Sequence, residues 1–342
     1  MRSNNNIGLN KEFASRLETG SIEMEMVSCF LCGSPESELI AIGRDYDYDT
    51  SDMQFTFVAC STCGHIYLNP RPKLESADKI YPRNYYTVSG EHKSGAFSLL
   101  GKVKDFIVKK RIIKLIEHLK ENANVLDVGC GDGALLLSIA KARPDLKLIG
   151  LDIQFNQETR KDLESKGIEC IEEPFEKCVL AKKCGLILMN QLIEHLWDVK
   201  KALSKIGQLL TDNGVVSIST PNSKGYDFRF FKKNCWGGYY FPRHLNVFSS
   251  DSLKQLLEDM GFAVVKQSSL VAPLIWMSTA RAIWKKNRYP GVFLFCDSNL
   301  LLLAVFTAVD LIAAAFRCET SNQQIIARFN QADRQRASAG AL

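Results

Sequence analysis

VLDVGCGDGALL, residues 125–136, runs from apolar residues through an acid into three glycines at alternate positions, then back to apolar residues at helical spacing. A buried strand, a tight turn and the first turn of a helix account for that order. Gly129, Gly131 and Gly133 let the backbone turn sharply and approach a ligand closely. The helix that follows points its unpaired N–H groups at the same place.

Outward from this stretch the pattern alternates. KLIGLDI is a second strand, QETRKDLESKG a helix, IECIE a third strand and CGLILMN a fourth. DVKKALSKIGQLL is a helix and DNGVVSIST a turn and fifth strand. Strands alternating with helices predict an α/β fold, a doubly wound Rossmann-like parallel sheet covered on both faces. Ligands of such sheets bind beyond the carboxyl ends of the strands.

Asp152 closes the second strand about 20 residues past the glycines, where an acid accepts the hydroxyls of a ribose. A nucleoside-containing cofactor follows. GCGDGA also fits the dinucleotide pattern. Asp127 argues against a dinucleotide, because a carboxylate ahead of the glycines repels a pyrophosphate. S-adenosylmethionine carries an ammonium and a sulfonium and no phosphate, so two acids suit its two ends.

VLDVGCGDG, Asp152, MNQLIEHL and DNGVVSISTPN together resemble class I S-adenosylmethionine-dependent methyltransferases, over about residues 104–268. CFLCG, CSTCGHIYLNPRP, YPRNYY and FPRHLNVFS further resemble bacterial members with an N-terminal zinc-binding segment, some associated with sugar or surface-polysaccharide methylation. The resemblance implies a seven-stranded sheet whose last strand, in NQQIIARFN, runs antiparallel. It also implies cofactor contacts at Asp127, Gly129, Gly131, Gly133, Asp152 and Ile153. Asn190 and Gln191 fall near the methionine portion and Glu173 near the adenine. EEPFEKC departs there from the family's glycine–aspartate pattern.

Cys29 and Cys32 form one C-x-x-C pair, Cys60 and Cys63 another, which read as a four-thiolate zinc site on a zinc-ribbon-like segment. Four protein ligands leave no open position, so the expected role is structural. The chain has eleven cysteines and a polar N-terminus without a signal-peptide core, so a reducing cytoplasmic setting is expected.

Methyl transfer needs an aligned acceptor and a place for its proton. His195, past the fourth strand, and His244, past the fifth, are the candidate general bases, with loop-supporting hydrogen bonds as the alternative. The stretch 226–244, YDFRFFKKNCWGGYYFPRH, is dense in aromatic and basic residues. Tyr239, Tyr240 and Arg243 there, with Tyr86, are candidate acceptor contacts, the rings for a sugar and the guanidinium for a phosphate.

Between the sixth strand and the last lies PGVFLFCDSNLLLLAVFTAVDLIAAAFR. The resemblance implies that both flanking strands pair in one sheet, which excludes a single membrane crossing. A returning hairpin, a helix in the lipid interface on the cytoplasmic face and a helix packed on its own domain or a partner remain open. The chain then divides into a flexible N-terminus 1–25, zinc-binding segment 26–75, linker 76–103, methyltransferase domain 104–269 with 322–332, hydrophobic helical insert 270–321 and tail 333–342. A net charge of +5 in 342 residues is mild and does not favour nucleic acid. The expectation is methylation, at oxygen or carbon, of a small sugar-like or phosphorylated acceptor, in one version lipid-linked. An RNA methyltransferase and a non-catalytic membrane-associated scaffold are the alternatives.

Overall fold

The computed structural model describes residues 22–81, 112–233, 235–287 and 299–330. Tyr86, most of the N-terminal 25 residues and of the expected linker, the tail, and residues 288–298 of the insert lie outside the described residues.

The N-terminal part forms β1 (Met24–Glu25), β2 (Ser37–Gly43), β3 (Phe55–Cys60), β4 (Ile66–Leu68), β5 (Arg71–Pro72) and the one-turn α1 (Ala77–Ile80). β1 pairs with β5, and β2, β3 and β4 form an antiparallel meander.

Then come β6 (Asn124–Val128), α2 (Ala134–Ala142), β7 (Lys147–Asp152), α3 (Gln157–Ser165), β8 (Glu169–Glu172), β9 (Cys184–Asn190), α4 (Val199–Leu209) and β10 (Leu210–Pro221). α5 (Tyr226–Phe231), β11 (Asn246–Val247), α6 (Ser250–Asp259), β12 (Phe262–Leu270), α7 (Pro273–Asn287), α8 (Leu300–Ala315) and β13 (Asn322–Phe329) follow. Side-chain oxygens of Asn156, Asp198 and Ser249 accept from backbone N–H groups at the starts of α3, α4 and α6, satisfying donors that a helix leaves unpaired.

The main sheet has seven strands in the order β12-β13-β10-β9-β6-β7-β8. β13 is antiparallel to both neighbours, and the pairs among β8, β7, β6, β9 and β10 are parallel. Successive residues of β6 fall into different cores. Leu126 and Val128 join Ile187, Ile206 and Ile218 on one face, while Val125 joins Leu136, Leu163 and Leu186 on the other. Both faces are therefore covered, which explains the near-continuous apolar runs. The strand order reverses at β6, which sets the ligand crevice at its carboxyl end.

The cysteine-bearing segment is joined to this domain through a shared sheet. β11 adds to the edge of β4, pairing Asn246 with Tyr67 and Val247 with Ile66. A third core joins Phe55, Phe57 and Leu68 of this segment to Trp236, Tyr239, Phe241 and Val247.

In the insert, α8 packs against α7. Buried Asp310 accepts from the Ala272 backbone N–H (2.6 Å) and from Trp276 Nε1 (2.9 Å), and Trp276 stacks on Phe306. One face of α8 is thus held by its own chain, while Leu301, Leu311, Ile312 and Phe316 are exposed. Among the described residues no helix is long and apolar enough to cross a membrane.

Candidate active site

The glycine turn is built by β6 and β7 together. The N–H groups of Gly129 and Cys130 donate to the Leu151 carbonyl, at 2.8 and 3.2 Å. Gly131 N–H donates to Asp152 Oδ2 and Ile153 N–H to Asp152 Oδ1, each at 2.8 Å. Gly129 takes φ of 72° and Gly131 of 55°, left-handed values that side chains disfavour. A Cβ on Gly129 would also stand 3.1 Å from Leu192.

Asp127 is 3% exposed, and its Oδ1 has no hydrogen-bond partner among the described residues. Burial, then the charges of Asp152 and Asp132, push its carboxyl up to about 8. Burial also raises Asp152, against the backbone N–H groups of Gly131 and Ile153. Buried acids with an orphaned oxygen call for a cation. This fits the ammonium end of S-adenosylmethionine and opposes a pyrophosphate. Asp152 retains lone pairs for a ribose. Ile153 is 59% exposed beside it, an apolar face open to a flat ring. Glu173 N–H donates to the Asp152 carbonyl, so Glu173 starts at the same edge.

At the end of β9, Ser219 Oγ donates to Asn190 Oδ1 at 3.1 Å. Gln191 has φ of 53°, and its N–H donates to the Ser219 carbonyl. Its amide reaches Asn322 Oδ1 at 3.2 Å. The strained backbone at Gln191 ends the strand and starts the turn toward Ile193–His195.

That turn brings the two predicted histidines together. The rings of His195 and His244 lie 4.6 Å apart, edge to face. Glu194 is fully buried, and its Oε1 lies 3.8 Å from His244 Nε2. The Thr220 hydroxyl lies beside the Glu194 carboxylate, and among the described residues no other side chain donates to either oxygen. His244 Nδ1 donates to the Gly238 carbonyl at 2.8 Å. His195 Nδ1 stands 3.1 Å from the Arg243 carbonyl and 3.0 Å from the Tyr81 hydroxyl. Burial lowers both imidazoles, with the neighbouring His244 also lowering His195, and burial raises Glu194, so each group is held toward its neutral form. Glu194 and His244 are buried, while His195 is half-buried and reachable.

The candidate acceptor residues separate. Half-buried Tyr240, at φ 40°, sets its ring 5.1 Å from His244 and 6.3 Å from His195. Tyr239 is fully buried, stacks on Phe57 and donates its hydroxyl to the Lys232 carbonyl, so it packs the loop. Arg243 is also fully buried, bound to Asp45 through both Nη atoms. It holds the loop to the N-terminal segment instead of facing a phosphate.

The four paired cysteines converge. Sγ of Cys29 lies 3.6 Å from that of Cys63, and Sγ of Cys32 lies 3.4 Å from that of Cys60. All four sulfurs are within 4.8 Å of one another. Tetrahedral zinc with metal–sulfur bonds of about 2.3 Å spaces its sulfurs by about 3.8 Å, so this cage fits zinc. Gly33 and Gly64, at φ 78° and 73°, close the two knuckles by donating to the Cys29 and Cys60 carbonyls.

A methyltransferase-domain family model matches residues 102–267. This segment is a methyltransferase domain. The chain is 27% identical over 231 residues to a ubiquinone biosynthesis O-methyltransferase of Rickettsia prowazekii, covering 63% of this chain and 84% of that one. It is 24% identical over 152 residues to an (S)-tetrahydroprotoberberine N-methyltransferase of Eschscholzia californica, covering 42% of this chain and 43% of that protein's length. A solved S-adenosylmethionine-dependent methyltransferase from Archaeoglobus fulgidus aligns with a TM-score of 0.42 and 21% identity, over 66% of this chain and 94% of that one.

Two residues of the methyltransferase domain's surroundings escape a sequence reading. Tyr81, at the end of α1, touches His195 across 114 positions, and no local pattern marks it. Asp45 is one acid in the run RDYDYD, and only the fold selects it as the partner of Arg243.

Proposed function

We propose that this chain methylates a hydroxyl of a small sugar-like acceptor, using S-adenosylmethionine. The observation that carries the reading is the convergence of Glu194, His195 and His244 beside the glycine turn. Leu192, which shields Gly129, is hydrogen-bonded through its carbonyl to His195 N–H, so donor turn and acceptor cluster adjoin.

S-adenosylmethionine, when bound, supplies a methyl group on a cationic sulfur. Asp127 would hold its ammonium end and Asp152 its ribose, with Ile153 and Glu173 toward the adenine and Asn190 and Gln191 toward the methionine portion. The protein's own work is then to orient the acceptor and take its proton. Tyr240 offers a ring face for the apolar side of a sugar, and Tyr48 stands 6.5 Å from it. The acceptor hydroxyl loses its proton at the Glu194–His195–His244 cluster. A relative named for ubiquinone biosynthesis O-methylation supports oxygen as the acceptor atom. Zinc at Cys29, Cys32, Cys60 and Cys63 serves as a structural ion that stiffens the sheet carrying β11, two residues after His244.

The test is turnover of purified protein with S-adenosylmethionine and a panel of sugars and nucleotide-linked sugars. Formation of S-adenosylhomocysteine with a singly methylated sugar is expected. Tight donor binding without turnover of any hydroxylated sugar, alongside turnover of RNA or an amine, overturns the reading.

A further inference from the structure

We propose that Glu194, His195 and His244 form a binding site for a divalent cation of the first transition row, with an open position for the acceptor oxygen. The inference rests on the acceptor site proposed above and states how that site removes the proton.

The ligand set comes first. One atom from each residue, a carboxylate oxygen and two imidazole nitrogens, lies within 4.8 Å of the others. Backbone carbonyls, which only accept hydrogen bonds, face both Nδ1 atoms. His244 Nδ1 faces the Gly238 carbonyl at 2.8 Å, and His195 Nδ1 faces the Arg243 carbonyl at 3.1 Å with the Tyr81 hydroxyl at 3.0 Å. With Nδ1 donating to these carbonyls, and the Tyr81 oxygen accepting beside the second, each Nε2 presents a lone pair. A metal-binding histidine is ordinarily fixed in this way through its second nitrogen.

The buried carboxylate is the independent observation. Glu194 is 0% exposed, and the Thr220 hydroxyl lies beside its carboxylate; among the described residues no other side chain donates to either oxygen within hydrogen-bond distance. A buried carboxyl so sparsely paired is costly unless something else satisfies it. His244 Nε2 stands 3.8 Å from Glu194 Oε1, too long for a hydrogen bond and short enough for both atoms to share an ion. Metal–ligand bonds of about 2.0–2.2 Å need the three donors to close in slightly, within reach of small rotamer changes.

The donor chemistry selects the ion. Two imidazoles and one carboxylate suit manganese, iron, cobalt or zinc over magnesium or calcium, which prefer oxygen ligands. Three protein ligands leave coordination positions free. His195 is half-buried and Tyr240 stands beside both rings, so the free positions face the acceptor side. The acceptor O–H breaks when its oxygen coordinates, and the proton leaves to solvent. The oxygen then bonds to the methyl carbon as the carbon–sulfur bond breaks, its electron pair remaining on sulfur. The imidazoles act as ligands throughout, not as proton carriers.

The test uses Mn2+, a poor thiolate ligand partner that leaves a zinc-loaded cysteine cage in place. Mn2+ is titrated into the full-length, zinc-loaded protein, and free Mn2+ is read by electron paramagnetic resonance. One ion per chain is expected. Glu194→Gln and His195→Asn should each weaken it tenfold or more. Lys254→Ala, on the exposed face of α6, should leave it unchanged. Because Glu194 is buried, the half-buried His195 variant keeps the test valid if Glu194→Gln fails to fold. No bound Mn2+, or equal binding by wild type and His195→Asn, overturns the inference. Binding without turnover of any sugar leaves the cation site standing and removes the proposed acceptor. Turnover by protein that binds no divalent ion does the reverse.

Discussion

Arg243 and Asp45 meet side to side across 198 positions, Nη1 to Oδ1 at 3.0 Å and Nη2 to Oδ2 at 2.7 Å, with both side chains fully buried. The guanidinium also lies over the Tyr48 and Tyr240 rings, at 4.5 and 5.2 Å. This pair ties the cysteine-bearing segment to the loop that carries His244. It sets that segment against the candidate site.

Breaking the pair is therefore expected to destabilise the whole chain. Removing one member strands a buried charge, which costs about 3–5 kcal/mol. Asp45→Ala should lower the urea midpoint accordingly. Burial raises Asp45, but the hydrogen bonds and charge of Arg243 outweigh it and hold the carboxyl at about 2. A depressed carboxylate contributes stability above its unfolded value near 3.9, lost as pH falls through its folded value. The contribution is about 2 kcal/mol, and Asp45→Asn should flatten the loss of stability between about pH 4 and pH 2.

Donor binding should release a proton. Asp127 sits at about 8 without a ligand, and a cationic ligand selects its ionised form. Affinity for S-adenosylmethionine should then rise as pH climbs toward 8. Titration calorimetry in buffers of differing ionisation enthalpy would show the released proton. Asp127→Asn should abolish the release and weaken binding about 10- to 100-fold, the worth of a charge-assisted contact.

Zinc loss should uncouple donor binding from turnover. Cys32→Ser or Cys63→Ser should reduce bound zinc, measured by plasma emission, from one per chain toward zero. β4 then no longer anchors β11 firmly, so His244 loses its support. Turnover should fall at least tenfold while the donor affinity of the glycine turn stays within about threefold. Loss of donor affinity in parallel would show that the two parts are not separable.

Tyr240 tests the acceptor contact. Its φ of 40° suits asparagine better than any other ordinary side chain except glycine. Tyr240→Asn should keep the backbone and remove the ring. The KM for the sugar should rise about tenfold with kcat within about threefold. An unchanged KM would place the acceptor elsewhere.

The candidate site divides by how far apart its members lie in the chain. The glycine turn and its acid are legible because β6, the turn and α2 are contiguous, and local geometry demands glycine there. The two cysteine pairs are legible because each knuckle is a four-residue unit. The acceptor loop is not. Tyr239, Tyr240 and Arg243 lie within five positions and read alike by composition, yet the side chain of Tyr239 packs a core, that of Arg243 binds an acid and that of Tyr240 lies against the histidines. The apolar insert follows the same rule. Asp310 looks like a flaw in a lipid-seeking helix until Ala272 and Trp276 are found to donate to it.

From the sequence alone came the α/β architecture, the glycine turn and the two cysteine pairs, since each rests on neighbours in the chain or on a repeating apolar period. The tertiary structure alone decided that Glu194, His195 and His244 share one point, that Tyr81 and Asp45 serve it, and that the cysteine segment lies against it. Those relations depend on packing between segments 50 to 200 positions apart, where burial and hydrogen-bond satisfaction act and no local periodicity reaches.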